Sequence, residues 1–169
     1  MMTGIQIGSS IWIGYLLSVF LTVTAFAVYD ILYRQVPDRA LAFFIPFAAL
    51  SPLFKIYFLL DGGGSALGIT PIIMQTVAGA LLGFCIPLAA ALATGGSGIG
   101  GGDIKFCGIL GLIYGSSGMA LVFLTAAITA MPMILFFKSL YRTKQPLSIP
   151  FLPFLACGCC TATLAQLFL

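Results

Sequence analysis

Residues 11–29, IWIGYLLSVFLTVTAFAVY, contain no charged side chain, and Asp30 follows them directly. A run of about 20 apolar residues is long enough for one helix to cross the hydrocarbon core of a bilayer. Comparable runs recur along the chain, which is 61% hydrophobic and only 7% charged. Soluble domains carry roughly 25% charged residues. The composition therefore excludes a soluble globular domain and predicts a polytopic membrane protein.

The apolar runs predict an all-α fold, a six-helix transmembrane bundle that forms one domain over residues 1–169. The predicted helices cover residues 11–29, 40–60, 71–93, 103–114, 119–137 and 149–169. No Lys or Arg precedes the first run, so we interpret it as a retained helix and not as a cleaved signal. The fourth helix would rise only ~18 Å against ~30 Å of hydrocarbon. It reaches full length if the Gly-rich stretch 95–102 is also embedded, lining a wet cavity or packed in protein.

The distribution of basic residues supports six crossings and predicts the orientation. Six crossings place six of the seven Lys and Arg residues on one face: Arg34, Arg39, Lys105, Lys138, Arg142 and Lys144. Only Lys55 lies near the other face. The positive-inside rule then puts both termini outside the cytoplasm and puts Asp30 and Asp103 on the cytoplasmic side of a cell membrane.

The chain lacks His and Glu, so acid–base chemistry depends on Asp, Lys, Tyr or Cys. Two of its four Asp residues end or begin apolar helices, in Tyr29-Asp30-Ile31-Leu32-Tyr33-Arg34 and Gly98-Ile99-Gly100-Gly101-Gly102-Asp103-Ile104-Lys105. A charged side chain at membrane depth costs about 2.5–3.5 kcal/mol on the mildest scale, so such residues usually serve a function. Two carboxyl groups brought together can hydrolyse a peptide bond by acid–base catalysis.

Each motif also allows a structural interpretation. Asp30 is spaced to form an ordinary ion pair with Arg34, four residues on, and Asp103 is placed to cap a helix after a glycine turn. Asp38, after Pro37, suits a solvated turn. Lys105 suits an interfacial anchor or a modulator of the neighbouring carboxyl. The glycines before Asp103 would instead leave room for an extended peptide backbone.

Other site classes are not supported. Gly96, Gly98 and Gly101 fit a dinucleotide-binding pattern, but no strand precedes them, and no Walker sequence is present. The five cysteines lie in apolar surroundings without paired CxxC spacing. We therefore expect no cofactor, no metal and no nucleic-acid partner. Partners besides membrane lipid follow from a family resemblance, and the sequence leaves the oligomeric state open.

Taken in order, these motifs resemble the type IV prepilin peptidases, GxGD aspartic proteases that include archaeal preflagellin peptidases. The first element reads Asp30, Arg34 and Val36-Pro37-Asp38, and the second reads Gly100-Gly101-Gly102-Asp103. Residues 150–154, PFLPF, resemble the proline motif of the terminal helix. The chain lacks the paired CxxC region of members that also act as N-methyltransferases, so it resembles the short form associated with tight-adherence pili.

The resemblance implies that Asp30 and Asp103 are the catalytic pair and share one proton. One carboxylate would activate water while its partner protonates the scissile carbonyl. The implied substrates are prepilin-like precursors, cut after a short basic leader at the cytoplasmic face. Gly100, Gly101, Gly102 and Lys105 are then candidate substrate-binding residues.

Two alternatives remain open. The Tyr29-Asp30 and GxGD sequences also resemble presenilin and signal peptide peptidase, which cut within membrane spans, but no Pro-Ala-Leu motif follows here. A small cation or proton transporter would also use intramembrane carboxyl groups and glycine-broken helices.

Overall fold

The structure is a computed structural model that describes residues 2–34, 36–95, 99–140 and 151–168. Within these ranges the regular structure is helical and no β-strand occurs, so the all-α prediction is confirmed. The helices are α1 Met2–Tyr33, α2 Asp38–Asp61, α3 Ile69–Ala93, α4 Gly101–Leu140 and α5 Leu152–Phe168, with a short 3₁₀ turn at Ala66–Gly68.

Four helical segments are long and apolar enough to cross a membrane. They are Ser10–Tyr33, Asp38–Asp61, Ala66–Ala93 and Gly101–Phe136, while the apolar part of α5, Leu152–Leu167, is shorter. Large apolar side chains such as Leu21, Phe43 and Leu67 point outward. An apolar exterior around helices that satisfy their own backbone is what lipid requires. The architecture is therefore that of a membrane bundle.

The observed helix bounds differ most from the predicted ones at the start of α1. α1 begins at Met2, well before residue 11, because the polar and small residues at its start are compatible with a helix although they do not extend the apolar run. Pro46 and Pro52 lie inside α2 without ending it. Residues 96–98 of the Gly-rich stretch, residues 141–145 of the basic loop and residues 149–150 before α5 lie outside the described residues.

A single residue interrupts α4. The sequence predicts a separator at residues 115–118, but only Gly115 leaves the helical conformation, with φ 71° and ψ −176°. A positive φ disfavours any residue with a Cβ, so glycine is the residue suited to this position. The break divides α4 into a first segment, residues 101–114, and a second segment, residues 116–140.

Contacts with α5 indicate that the two segments of α4 run in opposite directions. α5 begins with Leu152 bonded to Asp30, at the end of the bundle that holds Asp103, and reaches Tyr114 through Gln166. It therefore runs parallel to the first segment. Two contacts show that it runs antiparallel to the second segment, joining Thr161 to Thr125 and Gln166 to the backbone at Gly118. This reversal favours six crossings, a count that stays a prediction.

Side chains bond two carbonyl groups directly before the break. Ile113 O accepts hydrogen bonds from Ser51 Oγ at 2.9 Å and Lys55 Nζ at 3.0 Å. Tyr114 O accepts one from Gln166 Nε2 at 3.4 Å. An unpaired carbonyl in lipid would cost several kcal/mol. Side chains of α2 and α5 thus complete the end of the first segment.

The first segment of α4 is the centre of the bundle. Phe106, Leu110 and Ile113 on this segment are fully buried. On its α3 side, the backbone at Gly111 packs directly against the backbone at Gly79. Small residues allow such close helix approach, which is a common source of helix association in membranes. The residues that follow Asp103 are therefore held rigidly from several sides.

Candidate functional site

Asp30 lies in the last turn of α1 and is only 6% exposed. It shares the inward face of α1 with Val23 and Ala27, which are also buried, because residues three or four apart lie on one side of a helix. Its neighbours Tyr29 and Ile31 are exposed. The helical period therefore turns this carboxyl into the bundle, at the end where α1 stops.

The ion pair with Arg34 that the spacing allowed is not formed. Within the described residues, the recorded ion pair joins Lys105 to Asp38 instead. Arg34 is exposed and adopts a φ of 51°, and its backbone N–H donates to Asp30 O at 2.8 Å. The left-handed backbone at Arg34 turns the chain away from α1, so its side chain does not neutralise the Asp30 carboxyl.

Asp103 occupies the third position of α4, not the helix cap that the sequence allowed. Gly100 is the cap, because its carbonyl accepts the N–H groups of Asp103 and Ile104 at 3.1 and 3.3 Å. A Cβ built on Gly100 would lie 3.5 Å from Asp103 Oδ2, so the Asp103 carboxyl lies back beside the cap, where the third residue of a capping box is placed. The carboxyl is half-buried.

The two carboxyl groups come within electrostatic range of each other. Aromatic packing brings their helices together: the Phe26 ring on α1 lies 5.1 Å from the Phe106 ring on α4. Phe106 is one turn beyond Asp103, and Phe26 one turn before Asp30.

The backbone of α5 supplies a donor to the pair. Leu152 N–H donates to Asp30 Oδ2 at 3.3 Å across 122 positions of sequence. The first N–H groups of a helix have no partner within it, and the helix dipole favours an anion there. The next residue, Pro153, has no N–H, so Leu152 provides the donor among the first two residues of α5.

The remaining candidate residues lie around Asp103. Lys105 Nζ contacts Asp38 Oδ1 at 2.9 Å, and both side chains are exposed. A side chain at Gly102 would strike Val36, one at Gly100 would meet the Asp103 carboxyl, and one at Gly101 would meet nothing within 4 Å. Of the three glycines, Gly101 therefore has the open space that an approaching backbone would need.

A groove of about 610 Å³ lies between α2, α3 and α4, and its lining includes neither Asp30 nor Asp103. Asp38 and Lys105 are its polar lining residues, and the rest of its lining is apolar: Leu41, Ala42, Ile45, Ala80, Phe84, Gly108, Ile109 and Leu112. Within the described part of the chain, no three His, Cys, Asp or Glu side chains form a group that could hold a metal ion. The cysteines in that part are free.

Two contacts of the site were not predicted from the sequence. The Leu152 amide is a backbone group, and the only signal for it was the proline pattern at residues 150–154. Val36 was noticed as part of a turn, but its contact with Gly102 depends on how α1 and α4 meet. Both contacts are tertiary and leave no periodic pattern.

Comparison with known proteins places this chain in a family. The model of the type IV leader peptidase family matches residues 15–135, a range that contains Asp30 and Asp103. The chain is 32% identical over 140 residues to the prepilin leader peptidase/N-methyltransferase of Bacillus subtilis (strain 168). That alignment covers 78% of this chain and 48% of the relative, so the chain spans about half of the relative's length. No solved structure matches the chain. The protein therefore belongs to the type IV leader peptidase family.

Proposed function

We propose that this protein is a membrane-embedded aspartic endopeptidase that removes the short basic leader of type IV prepilin-like precursors. The observation that carries the proposal is the placement of two carboxyl groups, Asp30 and Asp103, on different helices and within repulsive range. Asp30 is buried and accepts the Leu152 N–H, and Asp103 is half-buried. The B. subtilis relative, whose printed name is prepilin leader peptidase/N-methyltransferase, supports the choice of substrate.

In the proposed reaction, the pair begins with one proton. The charged carboxyl takes a proton from water as the water oxygen bonds to the scissile carbonyl carbon, and its partner gives the shared proton to the carbonyl oxygen. In the second step a proton passes to the peptide nitrogen, the C–N bond breaks, and the carbonyl re-forms. One water has been added across the peptide bond, and the pair again holds one proton.

The proposed site faces the cytoplasm. Three of the described basic residues, Arg34, Arg39 and Lys105, lie at the end of the bundle that holds the Asp pair. Lys55 lies at the opposite end, bonded to Ile113. This distribution favours a cytoplasmic location for the pair, since basic residues accumulate on that side of membranes. A precursor whose basic leader remains in the cytoplasm would present its cleavage site there.

The test is cleavage of a prepilin with a basic leader, reconstituted with the purified protein in proteoliposomes. We expect Asp30→Asn and Asp103→Asn each to abolish cleavage, because each removes one member of the acid–base pair. Asp61→Asn is the matched control: it makes the same change at an exposed residue that ends α2. Asp61→Asn should cleave like the parent.

The cleavage position separates the alternatives. Mass spectrometry of the product should locate the cut at the cytoplasmic edge of the apolar segment, after the leader. A cut within the membrane span would support a presenilin-like protease instead. Cation or proton flux without cleavage would support the transporter. Parental cleavage rates in a folded Asp30→Asn or Asp103→Asn variant would refute the proposed pair.

A further inference from the structure

We propose that Gly102 is a positioning residue: it lets residues 36–38 (Val36, Pro37 and Asp38), which we call the docking segment, seat against the start of α4 and so sets the separation of the two carboxyl groups. The inference deepens the proposed function and rests on it. It assigns a separate role to one glycine of the GxGD sequence, whose members we first interpreted together as space for a substrate.

The contact between Gly102 and Val36 is too close for any other residue. A Cβ built on Gly102 would lie 2.9 Å from Val36 Cβ and 3.2 Å from the Val36 carbonyl oxygen. Neither atom is the far end of a flexible side chain, so the segment itself would have to move. Gly101 has nothing within 4 Å. The two neighbouring glycines therefore do different things: Gly102 is covered by protein, and Gly101 is open.

The docking segment is short. It follows the end of α1, which carries Asp30, and contacts the start of α4, which carries Asp103. Asp103 is the residue after Gly102, and Asp30 lies in the last turn of α1, just before the chain turns at Arg34. Val36 also packs against the core as a partly buried residue. Displacing Val36 from Gly102 would therefore move the end of α1 relative to the start of α4, which carry the two members of the pair.

A second contact holds the same segment. Lys105 Nζ meets Asp38 Oδ1 at 2.9 Å, one residue beyond the Pro37 turn. Because both side chains are largely in solvent, this ion pair contributes little by itself. The packing of Val36 against Gly102 must therefore do most to position the docking segment on α4. Substitution of Gly102 is the sharper test.

The docking role and a substrate-binding role predict different kinetics. If Gly102 made room for substrate, Gly102→Ala would raise KM and no change at Val36 would correct it. If Gly102 seats the docking segment, Gly102→Ala lowers kcat and leaves KM close to the parental value. A misplacement of about 1 Å lowers rates by on the order of 10²-fold. Val36→Gly, which removes Val36 Cβ as well, would then take away the closest contact and restore part of the activity.

The experiment measures kcat and KM for prepilin cleavage in the parent, Gly102→Ala, Val36→Gly and the double variant Val36→Gly/Gly102→Ala. Gly14→Ala is the matched control, since Gly14 is also helical and has nothing within 4 Å. We expect Gly102→Ala to lose on the order of 10²-fold in kcat, and the double variant to recover part of that loss, because the 2.9 Å contact is removed and only the 3.2 Å contact with the Val36 carbonyl oxygen remains. Gly14→Ala should cleave like the parent.

Several outcomes overturn the inference while leaving the proposed function intact. One is a Gly102→Ala variant that cleaves like Gly14→Ala. Another is a folded double variant with no recovery, and a third is a loss confined to KM. If Gly102→Ala does not accumulate, the double variant must accumulate and cleave, and its failure also overturns the inference. A parent that cleaves no prepilin, by contrast, removes the proposed function itself.

Discussion

The polar groups at the two ends of the first segment of α4 have opposite kinds of neighbour. At the Gly115 end, the carbonyl groups of Ile113 and Tyr114 accept hydrogen bonds from Ser51, Lys55 and Gln166. At the Asp103 end, two carboxyl groups lie within repulsive range of each other. Neither carboxyl takes part in the ion pair recorded among the described residues.

The difference distinguishes polar groups that hold a membrane protein together from polar groups that serve a function. Polar groups that only hold a helix end are matched with partners, because an unmatched group in lipid costs several kcal/mol. Like charges placed together gain no stability from each other. The presence of such a pair at the Asp103 end is the physical reason to expect chemistry there. The hydrogen-bonded carbonyl groups at the Gly115 end have a structural role.

Among changes that keep both carboxyl groups, the largest effect in this comparison is expected from removing the α5 amide at the Asp103 end. Leu152→Pro deletes the N–H that bonds Asp30 Oδ2, at a first helical position where proline is tolerated. Without this bond the Asp30 carboxyl is less firmly oriented, and we expect kcat to fall by on the order of 10²-fold. The measurement is steady-state prepilin cleavage in proteoliposomes.

Leu152→Ala is the control for this change, because it keeps the N–H and removes part of a buried side chain. It should lower the free energy of unfolding by about 2–5 kcal/mol while keeping the kcat of the folded protein close to that of the parent. Equal kcat values for the two variants would show that catalysis does not need the Leu152 amide.

The next effect concerns stability at the opposite end. Gly115→Ala places a Cβ on a residue with φ 71°, so we expect a loss of about 1–3 kcal/mol in the free energy of unfolding. Because the break lies away from the carboxyl pair, the kcat of the folded fraction should stay near the parental value. Unfolding in detergent and cleavage assays on the same preparation test both statements.

A second glycine substitution is the control for Gly115→Ala. Gly14→Ala is a helical glycine with open space, and alanine there should stabilise α1 slightly, by up to about 1 kcal/mol. If Gly115→Ala instead lowered kcat strongly at full stability, the two ends would be mechanically coupled, and the division between architecture and chemistry would be wrong.

The sequence predicted the helical bundle because apolar runs of membrane length are a strong local signal. It also located the break near Gly115, but not the single residue that leaves the helix, since Gly118 is as permissive as Gly115 and the serines between them are weaker helix formers than alanine. Asp30 and Asp103 were selected as candidates from their positions at helix ends.

The arrangement around those residues could not be predicted in the same way. Whether Asp103 caps α4 or occupies its third position depends on where the helix starts, and helix ends vary by one or two residues under any rule. The absent Asp30–Arg34 pair followed from a backbone turn at Arg34 that propensity alone does not predict. The Leu152 and Val36 contacts depend on packing between distant segments, so spacing alone carries no record of them.

The smallest effect is expected at the exposed Asp38–Lys105 pair. Asp38→Asn and Lys105→Gln should each change the free energy of unfolding by about 0–1 kcal/mol, because ion pairs in solvent contribute little. A double-variant cycle measures the pair directly. Kinetics then sharpen the comparison: if the pair only steadies the docking segment, both substitutions should produce the same small change in kcat. A rise in KM with Lys105→Gln alone would assign Lys105 to substrate binding and extend the functional end of α4 beyond the two carboxyl groups.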